Sequence, residues 1–254
     1  MLIERMKISY IKNRESACVM ILTLALFVSL TLVLPSNVYS AQVYPKDEHP
    51  AGTSQQDWMG KWWSWWIKTN TLSLDPNGCV MNKAGPMVML METTRSGNQV
   101  CEISANQSIM VPLWTGFCAT DVPEQANYTT EQLLKCAREQ VNLGAVTSVV
   151  KVDDHPVAKL DEISSMRAGS LDYKKNSMEN VSEIYSKGFN VTYPEDSFWP
   201  DLPSGKSFGA GAHGWFVFLK PLPVGDHKLS SNVGVTGTGP TDSTAEITYK
   251  LKVK

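Results

Sequence analysis

The sequence contains none of the short motifs that carry a reaction with them. There is no HExxH, no GxSxG nucleophile turn, no P-loop and no CxxC. Histidine is scarce, at four residues: His49, His155, His213 and His227. Gly234-Val-Thr-Gly237-Thr-Gly239 is glycine-rich, but Pro240 and a strand pattern follow it, so no helix N-terminus stands there to hold a phosphate. No period of about 20–50 residues recurs, which excludes a repeat architecture. Charge of either sign is modest, 23 Lys+Arg against 25 Asp+Glu, so the chain offers no basic field for nucleic acid.

What is present begins with an export pattern. Arg5, Lys7, Lys12 and Arg14 precede an uncharged run of 18 residues from Ala17 to Leu34, and Val38-Tyr39-Ser40 supplies small positions for cleavage before Ala41. Residues 1–40 are therefore expected to be a signal peptide. A run of that length is also the lower limit for a membrane span, so an uncleaved N-terminal anchor is the alternative. In either case residues 41–254 lie outside the cytoplasm, and the membrane is met only through an uncleaved segment. Those 214 residues carry 19 basic and 23 acidic side chains, and their length suits a single domain.

Four cysteines follow the leader: Cys79, Cys101, Cys118 and Cys136. An even number in an exported chain reads as two disulfides with three possible pairings. Cys79–Cys101 with Cys118–Cys136 is the expected one, because each pair brackets a plausible hairpin or loop–helix unit. The spacings of 22, 17 and 18 residues do not suit a four-thiolate zinc site. Sequons at Asn106, Asn127, Asn180 and Asn190 are candidate glycosylation sites and imply surface positions.

Five of the eight tryptophans stand in Trp58-Met-Gly-Lys-Trp62-Trp63-Ser-Trp65-Trp66-Ile67. At helical spacing Trp58, Trp62, Trp63, Trp65 and Trp66 gather with Met59 in an arc of roughly 160°, opposite Asp57, Lys61, Ser64 and Lys68. The pattern predicts a helix over 54–69, with Thr53 and Gln56 at capping-box spacing. An apolar aromatic face of this size has three uses: to cover a core, to lie on a lipid interface, or to stack on sugars. Soluble monomers seldom leave such a patch open, which favours a core anchor.

The remainder reads as strands. Met87-Val-Met-Leu-Met91 is apolar on both faces, and its alternate methionines fit core filling better than a thioether copper site. Ser108–Trp114 contains Pro112, which implies an edge or a bulge. Thr129 and Gln132 form a second capping box, opening a short helix to about Gln140. Gly144–Val152 is β-branched, and His213–Lys220 reads as a central strand that turns at Pro221–Asp226 into the next. Thr244–Val253 alternates, with Ala245, Ile247, Tyr249, Leu251 and Val253 inward; the outward lysines suit an exposed edge. The expected fold is mainly β: an antiparallel β-sandwich, jelly-roll-like, with an N-terminal Trp-rich amphipathic helix and one further short helix.

In order, these pieces are WWSWW, the Asp75-x-x-Gly78-Cys79 turn, GPMVMLM, a Cys-x-Ile strand, Val152-Asp153-Asp154, Arg167, HGWFVFLKPLPVGDHKL and a final ITYKLKV. The chain thereby resembles an uncharacterised family of secreted prokaryotic proteins with a Trp-rich N-terminal helix, paired cysteines and a C-terminal PLxxGxH hairpin. The resemblance covers most of residues 55–254, and 155–212 match it poorly. His213-Gly214-Trp215 stands where the family has Asp-Gly-Tyr, and Trp114 or Thr115 where it has asparagine. What the resemblance implies is a fold and a compartment, without a reaction.

The leading functional expectation is a secreted or cell-surface, non-catalytic β-sandwich with a binding, adhesion or envelope role, a glycan or cell-surface component as partner, and no cofactor. The alternative is an extracytoplasmic metal-binding protein or enzyme using His213 and His227, which flank one turn, with Asp226 or another nearby carboxylate. A carbohydrate-binding module using Trp114, Trp199 or Trp215 is the second alternative. No catalytic residue is assignable: Asp153-Asp154 and Glu195-Asp196 read equally as solvated loop charges.

Overall fold

The computed structural model of the protein describes residues 41–69, 79, 81–91, 97–141, 145–165, 173–195, 204–236 and 243–254. The expected Asp75–Gly78 turn, Arg167, Trp199, Asp196 and the centre of the glycine-rich loop lie outside them, as does the whole leader. The described chain is mainly β, two mixed six-stranded sheets with helices α1 (Gln55–Lys68) and α2 (Thr130–Val141). No described helix is long and apolar enough to cross a membrane.

The first sheet runs β1 (Met81–Asn82), β2 (Met87–Leu90), β4 (Ser108–Ala119), β10 (Ser207–Leu219), β8 (Ser182–Tyr185), with β9 (Phe189–Thr192) also on β10. The second runs β3 (Gly97–Ile103), β12 (Ser243–Val253), β11 (Gly225–Thr236), β5 (Ala145–Val152), β6 (His155–Ser165), β7 (Tyr173–Glu179). The expectation of a wholly antiparallel sandwich is corrected in two places: β2 pairs parallel to β4, and β3 parallel to β12. The chain also changes sheets between β10 and β11, so the segment Pro221–Asp226 is a crossover rather than a hairpin turn. β12 lies between β3 and β11, so its lysines wet a sheet face and do not guard an edge.

The first sheet is buried on both faces, which explains why its strands are almost continuously apolar. On β10, Trp215, Val217 and Leu219 join the cluster shared with the second sheet, while Ala210, Ala212, Phe216 and Phe218 face α1. On β2, Val88 and Leu90 take the first side, Met87 and Met89 the second. Pro112 sits inside this sheet at a bulge. Trp215 pairs with Trp114 and Phe216 with Pro112, so Leu113 is the extra residue. The bulge expectation holds; the edge expectation does not.

α1 is the core anchor that its pattern implies. Trp58, Met59, Trp62, Trp63 and Ile67 are buried against the sheet, and Trp65 and Trp66 pack on them partly exposed. Buried indole N–H groups need acceptors: Trp62 Nε1 donates to Leu90 O at 2.6 Å and Trp58 Nε1 to Pro50 O at 2.7 Å. The N-cap is Ser54, one residue after the expected Thr53; its Oγ accepts from Asp57 N at 3.2 Å, and Asp57 adds negative charge to the first turn.

α2 opens with the expected capping box, Thr129 N donating to Gln132 Oε1 at 2.8 Å and Gln132 N to Thr129 Oγ1 at 3.3 Å. It packs on β4 and β10 where both strands present glycine. A Cβ on Gly116 would collide with the Ala137 carbonyl oxygen, and one on Gly211 would stand 3.0 Å from the Leu133–Leu134 backbone. The Cys118–Cys136 disulfide ties β4 to α2, and Cys79–Cys101 joins the inter-sheet core. Both expected pairings are found, and two such bonds fit an extracytoplasmic protein.

Candidate functional site

Among the described hollows one sets rings from α1, β4 and the chain beyond β9 around hydrogen-bonded polar groups. It is a cleft of about 330 Å³ between α1, the end of β4, the segment after it, α2 and the residues after β9. α1 supplies Trp63 and Trp66, three residues apart and hence neighbours on adjacent turns. Trp63 is buried and stacks on Phe117 of β4, centroids 4.7 Å apart at 28°; Trp66 meets Trp63 edge-on, 5.3 Å at 76°. Trp62 backs Trp66 at 6.2 Å. Trp66 and Phe117 are half-buried, and Phe117 also meets Phe189 at 6.2 Å.

The rest of the lining is held in place by bonds to its neighbours. Cys118 contributes the disulfide. Gln140 of α2 accepts from Phe117 N at 3.0 Å and donates through Nε2 to Cys118 Sγ at 3.3 Å, while Gln125 Nε2 donates to Cys136 Sγ at 3.5 Å. Tyr193, just beyond β9 and buried, donates its hydroxyl to Asp121 Oδ2 at 2.5 Å. Burial, and after it the bond to Asp121, raises the Tyr193 pKa far above its ordinary value, so the phenol stays neutral and the bond keeps its direction. Asp121 is the only formally charged side chain among the described residues lining the cleft.

Two other hollows are less organised. A broad groove of about 860 Å³ follows the outward arc of α1 past Asp57, Lys61, Ser64 and Lys68. It is larger and has rings of its own, Trp58, Trp65 and Phe189, but Asp57 is already paired with Lys187 at 2.8 Å and Lys61 lies over the Trp58 ring at 4.4 Å. A third, of about 430 Å³, lies beside β8 among Glu48, His49, Glu183 and Tyr185. The smaller cleft is the best candidate because rigid rings and fixed polar groups converge in it.

The expected metal set does not come together. His213 lies on β10 in the first sheet, fully buried, its Nε2 3.2 Å from Glu183 Oε1 and its ring 4.2 Å from Tyr185. Burial lowers its pKa, outweighing the raising effect of Glu183, so it is a neutral core histidine. His227 lies on β11 in the second sheet. Both its ring nitrogens are engaged, Nδ1 with Asp153 Oδ2 at 2.8 Å and Nε2 with Pro223 O at 3.0 Å. Asp226 is exposed and follows the opposite face of that strand. The two histidines are in different sheets because β10 and β11 are, and among the described residues no three His, Cys, Asp or Glu are grouped to hold a metal.

Asp153 and Asp154, left open as loop charges, form the β5–β6 turn, both at positive φ (51° and 64°). Asp153 Oδ1 also accepts from Lys228 N at 2.8 Å, so this carboxylate fastens the turn to β11. Of the tryptophans considered for sugar binding, Trp215 is fully buried and Trp114 is partly buried, its Nε1 donating to Val141 O at 3.3 Å. All four sequon asparagines are exposed: Asn106 and Asn127 in loops, Asn180 in the turn before β8, and Asn190 on β9. Sequence reasoning placed Trp63 and Trp66 in the core and did not find Phe117, Asp121, Gln125, Gln140 or Tyr193. The one available signal was that Trp63 falls at the end of the aromatic arc, where a helix face leaves its sheet.

No protein-family model matches the chain, and no curated protein does.

Proposed function

We propose that the protein is a secreted, non-catalytic binding module acting outside the cytoplasm, which holds a small ligand in the cleft walled by Trp66 and Phe117. The observation that carries this reading is the cleft itself: rings set at fixed angles, a carboxylate oriented by a buried tyrosine, and a disulfide in the wall. Binding sites need such groups pre-positioned, because ordering them on contact costs affinity. Two disulfides and the export pattern of residues 1–40 support the compartment. Sequencing the exported protein tests that part: an N-terminus at Ala41 supports secretion, and one at Met1 in the membrane fraction assigns the anchor instead. The exposed sequons become glycan sites in a host that glycosylates asparagine.

Binding is tested by ligand-detected NMR with a mixture of small metabolites against the wild type and Trp66→Ala. The reading expects compounds that bind saturably to the wild type and are lost in a variant that still melts cooperatively. Compounds retained equally by the variant, or none at all, reject it.

A further inference from the structure

We infer that the broad groove along α1 is a second binding site, and that its ligand is an acidic saccharide chain stacked on Trp65 between Lys61 and Lys68. The groove shares no lining residue with the cleft proposed above and stands independent of it.

Trp65 supplies the ring. At helical spacing it falls at the opposite end of the aromatic arc from Trp63, where the helix turns away from its sheet. It packs half-buried on the core beneath α1 and lines the groove. The four other tryptophans of α1 are engaged in ring contacts or indole hydrogen bonds. Among the described residues the Trp65 indole enters none, so it remains available for a ligand.

Lys61, Trp65 and Lys68 follow one another at i, i+4 and i+7, which puts them in one row with the ring between the two ammonium groups. Both lysines are exposed, and no described carboxylate forms an ion pair with either. Lys61 Nζ stands over the Trp58 ring at 4.4 Å, a contact that positions the ammonium and keeps its charge. Asp57 is the only acid in the described lining, and its hydrogen bonds go to Lys187 and Ser54. The groove is therefore a basic strip on a domain with 23 acidic and 19 basic side chains. That contrast selects an anion. The lysine Cα atoms lie about 10 Å apart along the axis, so the charge is spread out, as suits a chain with more than one acidic unit.

The β1–β2 turn adds Asn82 and Pro86 to the lining. Asn82 Oδ1 accepts from Ala84 N at 2.8 Å, which orients the amide and leaves Nδ2 to donate to a ligand hydroxyl. A sugar offers an apolar C–H face to the indole and hydroxyls to such groups, and a uronate adds the carboxylate. The volume of about 860 Å³ stands near the upper end of the range for ligand sites, about 300–1,000 Å³, and has room for several sugar units. A concave groove takes a chain, whereas a lipid surface is met by a face that protrudes.

The test titrates the disulfide-intact protein by calorimetry with tetragalacturonate, its methyl ester, tetraglutamate and phosphatidylglycerol vesicles. Tetragalacturonate is expected to bind roughly tenfold more tightly than the ester, because the sugar rings are the same and only the charge differs. Its binding should weaken several-fold as salt rises to about 0.5 M. Lys61→Met and Lys68→Met should each cost several-fold in affinity, and Trp65→Ala should abolish binding. Lys250→Met, an exposed lysine of the second sheet, should change nothing. Equal affinity for the acid and the ester overturns the inference even if the Trp65 variant does not fold, since that comparison uses wild-type protein alone. A loss in Lys250→Met equal to that in Lys68→Met overturns it in favour of net charge. Preference for tetraglutamate or for the vesicles overturns it in favour of an acidic peptide or a lipid surface. Binding of none of the four overturns it as well, and every outcome leaves the cleft to its own test with Trp66→Ala.

Discussion

The two faces of the first sheet are filled by different chemistry. Toward the second sheet stand mostly branched aliphatic side chains, Val88, Leu90, Ile109, Val111, Val217 and Leu219, with Trp215 and Tyr249 as the large buried rings among them. Toward α1 stand Trp58, Trp62, Trp63, Phe216 and Phe218, with Met59, Met87, Met89 and Met110 between them. Rings are rigid and do not tile a surface, and methionine, with three rotatable bonds, fills the gaps they leave. Among the described residues that line the aromatic cleft there is no methionine. One face holds the sandwich together, and the other anchors α1 and borders the cleft in which we propose that a ligand binds.

Breaking each face in turn sharpens the comparison. The largest effect is expected at Trp62, fully buried with its indole N–H satisfied. Trp62→Ala should cost about 3–5 kcal/mol in urea denaturation, against about 2 kcal/mol for Val217→Ala on the aliphatic face. Equal losses would mean that the rings merely cover the sheet.

The disulfides come next. Replacing Cys118 and Cys136 by serine should cost about 3 kcal/mol, as expected for a cross-link closing an 18-residue loop, and should also weaken binding because Cys118 is part of the cleft wall. The same change at Cys79 and Cys101 should cost a similar amount and leave the ligand bound. Loss of binding in both double variants would place the effect in global loosening. Gly116→Ala, which drives a methyl group into the Ala137 carbonyl, should cost about 1–3 kcal/mol, and a neutral result in a thermal melt would show that α2 can shift away.

The smallest expected effect is a pH dependence at His213. Burial places its folded pKa below the unfolded value of about 6.5, so the unfolded chain takes up the proton first as pH falls. Its contribution to stability is complete above about pH 6.5 and declines below it, until the folded pKa is reached. His213→Gln should flatten the fall in melting temperature between pH 7 and 5. An unchanged slope would assign the acid sensitivity to other groups.

Much of the fold was legible because its signals are local. The arc of α1, the capping box at Thr129, the alternation of Thr244–Val253 and the bulge at Pro112 each depend on a few neighbouring residues. The parallel pairs and the sheet change between β10 and β11 were not legible, since alternation fixes which side chains turn inward and says nothing about which strand lies beside which. That gap misled the pairing of His213 with His227. The cleft was legible only in part for the same reason. Trp63 and Trp66 announce themselves, but Phe117, Asp121, Gln140 and Tyr193 come from separate elements, and no spacing joins them.

The central claim is that the aromatic face of α1 divides, with Trp62 as anchor and Trp66 as a wall of the cleft. Urea denaturation of Trp62→Ala and Trp66→Ala side by side tests it most directly. The account predicts a loss of about 3–5 kcal/mol for the first and about 1 kcal/mol for the second, whose ring is half-buried and packs on Trp62 and Trp63. Losses of equal size would contradict it, because Trp66 would then be as much a part of the closed core as Trp62.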